Sequence, residues 1–244
     1  DFFGSSVTSL GDLNGDGVAD LAVGASGDDS GILIEDSSRG AVHVLFLSPL
    51  PPQPASLELP AGGNYEILRD GGDLVFRVAG VPGFPDLLRQ SANSVSVLEI
   101  LGSAGNDIIT IVDTGGAVTI PIVFSGGQGA DQFDGTLAAV STTLLGGSGN
   151  DTLLGGTNDD FIIGGTGNDM IAGGNGDDRI GGRSGNDTLT GGDGNDTLQG
   201  GGGRDMIEGG GDSDQLSGAG GPDTIAGGDG DDLLQGGAGS DLLD

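Results

Sequence analysis

The sequence lacks cysteine, tryptophan and lysine, and it contains a single histidine. Without cysteine, the fold has neither a disulfide framework nor a thiolate metal site. The seven basic residues are all arginine, and 37 acidic residues bring the formal net charge to −30. Because nucleic-acid binding requires a basic surface, we expect no nucleic-acid partner. The apolar runs fall short of the roughly eighteen residues that a membrane-spanning helix needs, so we expect no membrane span.

The same scarcity argues against catalysis. An H-E-x-x-H metalloprotease motif needs two histidines, whereas the chain has only His43. No serine has the two flanking glycines of a G-x-S-x-G lipase motif. A glycosidase-like pair of carboxylates is not singled out either, because a regular repeat accounts for nearly all of the acidic residues. We therefore predict that these residues do not form an enzyme.

Glycine and aspartate are abundant, and they recur at a fixed spacing. A nine-residue unit fills residues 146–244 without a break and occurs eleven times. Every unit opens with Gly and has Leu or Ile at its eighth position. A disordered tract would not need an aliphatic residue at every eighth position, so the spacing indicates a folded repeat. The sixth position is always Asp, at Asp151, Asp160, Asp169, Asp178, Asp187, Asp196, Asp205, Asp214, Asp223, Asp232 and Asp241.

The spacing predicts a parallel β-solenoid in which two units form one coil. The eighth side chain points inward from a strand of about three residues, and Gly at positions one, two and four permits positive φ and close packing. At position four, Asn158 and Asp212 replace Gly and are residue types that tolerate the left-handed region. At position two, Arg183 and Ala219 carry a Cβ. Because Pro222 also removes a backbone donor, we expect the units with these residues to be the weakest.

Stacked coils would align Asp residues eighteen positions apart in two columns of negative charge. Neighbouring parallel strands lie about 4.8 Å apart, and carboxylates at that spacing repel one another. The few aliphatic side chains cannot offset both this repulsion and the entropy of ordering so many glycines. A hard cation bound by Asp carboxylates and turn carbonyls would remove the repulsion. Calcium suits such a flexible oxygen site better than magnesium, which requires a strict octahedron.

The unit reads G-G-x-G-x-D-x-U-x and resembles the calcium-binding nonapeptide repeats of RTX proteins, which bacteria secrete. The resemblance implies an all-β fold, a right-handed parallel β-roll over residues 146–244, several bound calcium ions and export as an unfolded chain. An imperfect unit at residues 102–109 lacks the second Gly. The unit at residues 126–133 fits fully, and it adds Asp131 to the predicted calcium ligands.

A second motif of alternating oxygen side chains lies near the start of the chain. An EF-hand would require Glu at the twelfth loop position, which is Val23, so that interpretation is rejected. Residues 1–47 instead resemble an FG-GAP repeat, a blade of integrin-α-type β-propellers with calcium in a D-x-N-x-D-G-x-x-D loop. One blade cannot close a propeller. The resemblance implies four side-chain ligands, Asp12, Asn14, Asp16 and Asp20.

The middle of the chain connects these two motifs. The prolines in residues 48–60 predict a linker. Residues 61–145 predict a β-rich transition region, with a hairpin at 64–78 and strands at 94–101, 108–112 and 118–124. We interpret it as an irregular solenoid or sheet that covers the first coil of the roll, and a separate β-sandwich is the alternative.

These features together predict an all-β, non-enzymatic, calcium-binding protein that is secreted or held at the bacterial cell surface. In this hypothesis it is a structural or adhesive module whose partner, beyond calcium, is a cell-surface or matrix ligand. The alternative is the calcium-dependent export and folding module of a type I-secreted hydrolase or toxin. Its catalytic domain would then lie outside these residues, since we expect the sequence to be a fragment of a longer protein.

Overall fold

The computed structural model describes residues 53–59, 62–70, 72–79, 88–112 and 116–244, together with the backbone of two strands near the start of the chain. Those strands, β1 (Ser6–Gly11) and β2 (Asp20–Gly24), pair antiparallel. Within the described ranges the one helical element is a 3-10 turn at Ala92–Ser94. No helix in the described part of the chain is long and apolar enough to cross a membrane.

The remaining described elements are twenty strands in chain order. They are β3 (Gln53–Glu58), β4 (Asn64–Asp70), β5 (Asp73–Val78), β6 (Leu88–Ser91), β7 (Val95–Leu101), β8 (Ile108–Val112), β9 (Ile122–Gln128), β10 (Gln132–Asp134), β11 (Thr142–Ser148), β12 (Thr152–Gly156), β13 (Phe161–Thr166), β14 (Met170–Asn175), β15 (Arg179–Ser184), β16 (Thr188–Asp193), β17 (Thr197–Gly202), β18 (Met206–Gly211), β19 (Gln215–Gly220), β20 (Thr224–Asp229), β21 (Leu233–Ala238) and β22 (Leu242–Leu243).

The strands form two long sheets, and from β7 onward the chain passes from one sheet to the other after every strand. The nine-strand sheet has the order β21-β19-β17-β15-β13-β11-β9-β7-β3. The eleven-strand sheet has the order β22-β20-β18-β16-β14-β12-β10-β8-β4-β5-β6. Neighbours are parallel except for β4, β5 and β6, which are antiparallel and close the N-terminal end of the larger sheet. The predicted all-β parallel solenoid is confirmed.

The pairing register shows how much chain each coil contains. Thr188 lies opposite Met206, so a regular coil consists of two nonapeptide units. The coils nearer the N-terminus are longer. Ile122 pairs with Thr142 on one side and with Leu98 on the other, and both of these partners lie farther away in the chain than two units. The solenoid therefore tightens toward its C-terminal end.

The core changes its chemistry along the solenoid axis. In the regular roll it is a line of single aliphatic side chains at the eighth position, each no more than 2% exposed from Leu153 to Ile225. In the N-terminal coils it also contains aromatic rings. Phe124 and Phe133 have ring centroids 5.3 Å apart, and another ring pair stacks at 5.4 Å. Because aromatic rings bury more apolar area per residue, hydrophobic stabilisation per coil is greatest near the N-terminus.

The structure differs from the sequence predictions in the length and extent of strands. Strands β13 to β21 contain six residues, as in Arg179–Ser184, because positions two and three of each unit continue the sheet pairing. The turn is correspondingly short and occupies positions four to six. Part of the predicted linker, Gln53–Glu58, is a strand. Pro54 is tolerated there because β3 is the edge strand of its sheet.

Position two of the unit adopts a backbone conformation that favours glycine. Arg183 and Ala219 have positive φ there, at 82° and 73°. At position four, Asp212 also has positive φ, at 70°, as its residue type suggested. Asn158 does not have positive φ, so the expectation for that residue was wrong. Its turn packs on the irregular segment at residues 135–141, where the Thr157 hydroxyl donates to the Ala138 carbonyl.

The strain at Arg183 leads to a prediction about stability. Arg183→Gly should raise the free energy of unfolding of the calcium-loaded protein by about 1 kcal/mol, because the Cβ at positive φ is removed. It should also lower the calcium midpoint, which is the calcium concentration at which half of the protein is folded. Part of the gain is offset by the larger entropy of Gly in the unfolded chain. Urea unfolding and a calcium titration measure the two quantities. Arg183→Ala removes the same charge but keeps the Cβ, and an equal gain in that variant would contradict the role of φ.

Candidate metal sites

The turns place the sixth-position Asp of every unit along the two long edges of the solenoid. Strands β13 to β21 each begin at position seven of one unit and end at position three of the next, so Asp immediately precedes a strand. Since strands alternate between the sheets, turns alternate between the edges. We call these two sets of turns column one and column two. Column one contains Asp107, Asp131, Asp151, Asp169, Asp187, Asp205, Asp223 and Asp241, and column two contains Asp160, Asp178, Asp196, Asp214 and Asp232.

One oxygen of each carboxylate in the roll is held by the backbone of the coil before it. The Asp178 N–H donates to Oδ1 of Asp196 at 2.7 Å. In column one, the Asp169 N–H donates to Oδ1 of Asp187 at 2.9 Å. The same bond recurs down both columns with donor and acceptor 18 residues apart in the regular coils. These bonds fix the orientation of the carboxyl group and couple residues of successive coils on the same edge.

In nine of the carboxylates along the two columns, the second oxygen is buried and has no hydrogen-bond partner among the described residues. The parent Asp side chains are nearly inaccessible, at 1% exposure for Asp151 and 2% for Asp178. A buried oxygen without a partner is costly, because it has lost its hydration and gained nothing in exchange. Nine carboxylates share this feature at Oδ2: Asp131, Asp151, Asp169, Asp178, Asp187, Asp196, Asp205, Asp214 and Asp223.

The first Gly of each unit leaves open the space that this oxygen faces. A Cβ built on Gly146 would lie 2.6 Å from the carbonyl oxygen of Gly164, and it would contact Oδ2 of Asp151 more closely still. In column two, a Cβ on Gly191 would collide in the same way with Oδ2 of Asp196 and with a backbone carbonyl of the next coil. Position one therefore requires Gly for space and not for φ. The carboxylate oxygen and a backbone carbonyl of the following coil face the same small space.

Burial makes the ionised form of these carboxyl groups unfavourable. It raises the pKa of Asp178 to about 7, and repulsion from Asp160 and Asp196 adds to the shift, while the hydrogen bond from the Asp160 N–H opposes it. Burial likewise raises the pKa of Asp131, Asp169, Asp196 and Asp205 to about 6. The pKa values of Asp151, Asp187 and Asp214 are also raised by burial. A bound cation would reverse these shifts by stabilising the anion.

The donor set fits a hard divalent cation. Within the described residues, no three Asp, Glu, His or Cys side chains converge on one point. A cation at these turns would therefore take one carboxylate oxygen from Asp, and backbone carbonyls would supply most of the remaining ligands. Calcium accepts such a mixture, with about six to eight oxygen ligands in flexible geometry. The absence of nitrogen and sulfur donors disfavours zinc.

A second ladder of side-chain bonds runs beside the first, and the sequence analysis did not predict it. The Asn168 N–H donates to Oδ1 of Asn150 at 2.8 Å, and the Asn186 N–H donates to Oδ1 of Asn168 at 2.7 Å. These residues occupy position five, and their bonds run in the opposite direction to those of position six. The available signal was the recurrence of Asn or Asp at position five from Asn150 to Asn195. The ladder in column two uses Asp159, Asp177 and Asn195.

This ladder explains why Pro222 is tolerated in the roll. The Arg204 N–H still donates to Asn186, but the Arg204 side chain has no acceptor to offer the next coil. The next residue in the ladder is Pro222, which has no N–H to donate. The missing donor therefore faces a missing acceptor. The lost N–H thus leaves no acceptor of this ladder without its partner, and the expectation that the units with Arg183, Ala219 and Pro222 are the weakest stays a prediction.

The other predicted ligands have different surroundings. Asp232 and Asp241, in the last coils, each accept a backbone N–H but are partly exposed. Asp160 has partners on both oxygens. In the FG-GAP-like motif, Asp20 begins β2, and nothing is described of its side chain. Asp12, Asn14 and Asp16 lie outside the described residues.

Comparison with known proteins identifies the two motifs. The family model described as RTX calcium-binding nonapeptide repeat (4 copies) matches residues 144–180, 181–216 and 217–244. The FG-GAP repeat model matches residues 3–45. The chain is also 35% identical over 103 residues to integrin alpha-X of Mus musculus, a match that covers 36% of this chain and 8% of that protein.

The family matches coincide with the geometry described above. The RTX match covers the turns whose buried carboxylate oxygens lack partners. Residues 144–244 of the solenoid are therefore a β-roll of calcium-binding repeats, and calcium is the cation that such repeats bind. The chain carries RTX calcium-binding nonapeptide repeats over residues 144–244 and an FG-GAP repeat over residues 3–45.

Proposed function

We propose that the roll is an extracellular module whose folding is driven by calcium. The observation that supports this most directly is the set of nine buried Oδ2 atoms without hydrogen-bond partners in the described part of the chain. Without a cation, folding would bury these charged groups uncompensated, at a cost that the single aliphatic side chain of each unit cannot offset. With calcium bound, each turn gains a ligand that the unfolded chain cannot hold in place. Binding to the folded state alone shifts the equilibrium toward that state.

The difference in calcium concentration between the cytosol and the outside of the cell would make calcium-dependent folding useful for export. Extracellular calcium-binding modules work at roughly 10⁻⁴–10⁻³ M calcium, far above cytosolic levels. The roll would remain largely unfolded during synthesis and export and would fold outside the cell. Its high negative charge keeps the unfolded chain soluble until then.

We further propose a structural or adhesive role without catalysis, in which the module supports or presents a recognition surface to a cell-surface or matrix ligand. The FG-GAP repeat and the similarity to part of integrin alpha-X support this role. The repeats also favour a second candidate, an export and folding module that serves a separate catalytic domain. Sequence on either side of these residues discriminates between the two. Additional FG-GAP repeats would favour adhesion, and a catalytic motif would favour the export module.

Calcium dependence of folding is the first prediction of this proposal. In the full chain, far-ultraviolet circular dichroism should gain most of the β signal of the roll over a steep titration to millimolar calcium. Coupled sites in one stack account for the steepness. Magnesium at the same concentration should produce much less of the signal. A full β spectrum in excess chelator would contradict the proposal.

A matched pair of variants tests whether the buried carboxylates are responsible for the calcium dependence of folding. Asp187→Asn should raise the calcium midpoint several-fold, because its Oδ2 is one of the buried oxygens without a partner. Asp193→Asn removes the same charge from an exposed side chain in the neighbouring strand and should leave the midpoint nearly unchanged. Equal shifts in the two variants would show that net charge, and not the buried carboxylate, controls folding.

The raised pKa values predict opposite effects of acid with and without calcium. The folded pKa of Asp178 is about 7, and its ordinary value is 3.8, so the folded state binds protons more tightly than the unfolded state. Stability of the calcium-free roll should therefore rise as pH falls through about 7 toward 4, and be lowest above pH 7. Protons also compete with calcium for the same oxygens. The calcium concentration at the midpoint of folding should therefore increase as the pH falls through the same range.

Circular dichroism in chelator at pH 5 and pH 8, with calcium titrations at each pH, measures both effects. The calcium-free roll should have more β structure at pH 5 than at pH 8. A calcium-free roll that loses structure on acidification would contradict the assignment of these carboxyl groups as buried and unpaired.

A further inference from the structure

Two turns differ from all the others at position two of the unit. In the turns of Asp107 and Asp160, position two is Ser103 and Gly156, and neither residue has positive φ. In every other Asp turn from residue 126 onward, position two has positive φ whether it is Gly or not: Gly127, Gly147, Gly165, Gly174, Arg183, Gly192, Gly201, Gly210, Ala219, Gly228 and Gly237.

This difference in φ changes what the Asp carboxylate contacts. The Gly156 N–H donates to Oδ2 of Asp160 at 2.7 Å. The Ser103 N–H donates to Oδ2 of Asp107 at 2.7 Å, and the Ser103 hydroxyl donates to the same oxygen at 3.1 Å. In these two turns a backbone N–H therefore points at the oxygen that lacks a partner elsewhere. The N–H supplies the positive end of a dipole, which is what a cation would otherwise provide.

Asp160 is satisfied on both oxygens. Its Oδ1 accepts the N–H and the hydroxyl of Thr142, which stands where the preceding coil would have an Asp. Asp107 has no earlier Asp turn before it in column one, and its Oδ1 lacks a hydrogen-bond partner among the described residues. In both turns, Oδ2 already accepts a backbone N–H, whereas the corresponding Oδ2 of the later turns has no hydrogen-bond partner among the described residues.

Both exceptional turns are the first Asp turns of their columns. They lie beside the coils whose core contains the rings of Phe124 and Phe133. These coils add aromatic rings to a core that continues without a break into the roll as far as Ile225, and the antiparallel strands β4, β5 and β6 form the N-terminal end of the eleven-strand sheet. This part of the solenoid therefore has sources of stability that do not involve a cation.

We infer that the turns of Asp107 and Asp160 bind no calcium and form a calcium-independent base on which the calcium-bound roll assembles. The inference rests on the proposed calcium-driven folding of the remaining turns. Calcium sites begin at Asp131 in column one and at Asp178 in column two. In low calcium, the base keeps its strands, and the edges of its two sheets can pair with the strands of the next coil. Each further coil therefore adds to existing structure when the calcium concentration rises. Starting from this edge avoids the entropy cost of forming the first coil from unfolded chain.

Counting bound calcium in matched variants of the full chain tests the assignment. Asp178→Asn and Asp131→Asn should each lose one ion or more at saturating calcium, measured by equilibrium dialysis with elemental analysis. Asp160→Asn and Asp107→Asn remove the same charge and should bind as many ions as the parent protein. Loss of an ion from either of the latter two variants overturns the inference. If the parent protein binds no calcium, the proposed function itself fails.

Hydrogen–deuterium exchange of the unaltered protein in chelator gives a second test that does not depend on any substitution. Amides of β4 and β7 should exchange slowly, while amides of β17 and β19 should exchange rapidly and become protected only when calcium is added. Rapid exchange throughout the solenoid in chelator overturns the calcium-independent base. Slow exchange throughout contradicts calcium-driven folding, which is the separate proposal.

Discussion

A buried carboxylate with one oxygen held and the other oxygen open is the constraint on which the roll depends. The held oxygen accepts a backbone N–H from the preceding coil, as between Asp178 and Asp196, and this bond sets the 18-residue register of the turns. The open oxygen lies in space that exists only because the first residue of the unit is Gly. A side chain there would fill the space, and a neutral residue at position six would remove the one carboxylate oxygen proposed to bind calcium.

The two halves of the solenoid are stabilised by different interactions. The N-terminal coils are wider and enclose aromatic rings, so apolar burial contributes more to their stability. The regular coils enclose one aliphatic side chain per strand and place their carboxylates at the edges. Under the proposed calcium-driven folding, stabilisation passes from hydrophobic burial to cation binding along one continuous pair of sheets. This change coincides with the shortening of the coil to two nonapeptide units.

The sequence predicted the features that depend on period and residue type. The eighth-position aliphatic residues and the two-unit coil follow from the spacing, because each unit makes the same contacts as the one before. The Ca²⁺-binding repeats were predicted from the resemblance to RTX proteins and from the oxygen ligands that the Asp residues offer. The sequence did not predict features that depend on the neighbouring coil. Asn158 lacks positive φ because its turn packs on an irregular segment, and Gly156 in the same unit differs in backbone conformation from the other second glycines. The strand at Gln53–Glu58 was likewise missed, because its pairing partner β7 is distant in the chain.

The most direct test of the central claim is a crystal structure of the protein with calcium, with the ions located by their anomalous scattering. The account predicts calcium within about 2.3–2.6 Å of the Oδ2 atoms of Asp151 and Asp178. The Oδ1 atoms of the same residues should remain hydrogen-bonded to the backbone of a neighbouring coil. Calcium found only on exposed carboxylates, with the buried Oδ2 atoms bonded to water or protonated, would contradict the account.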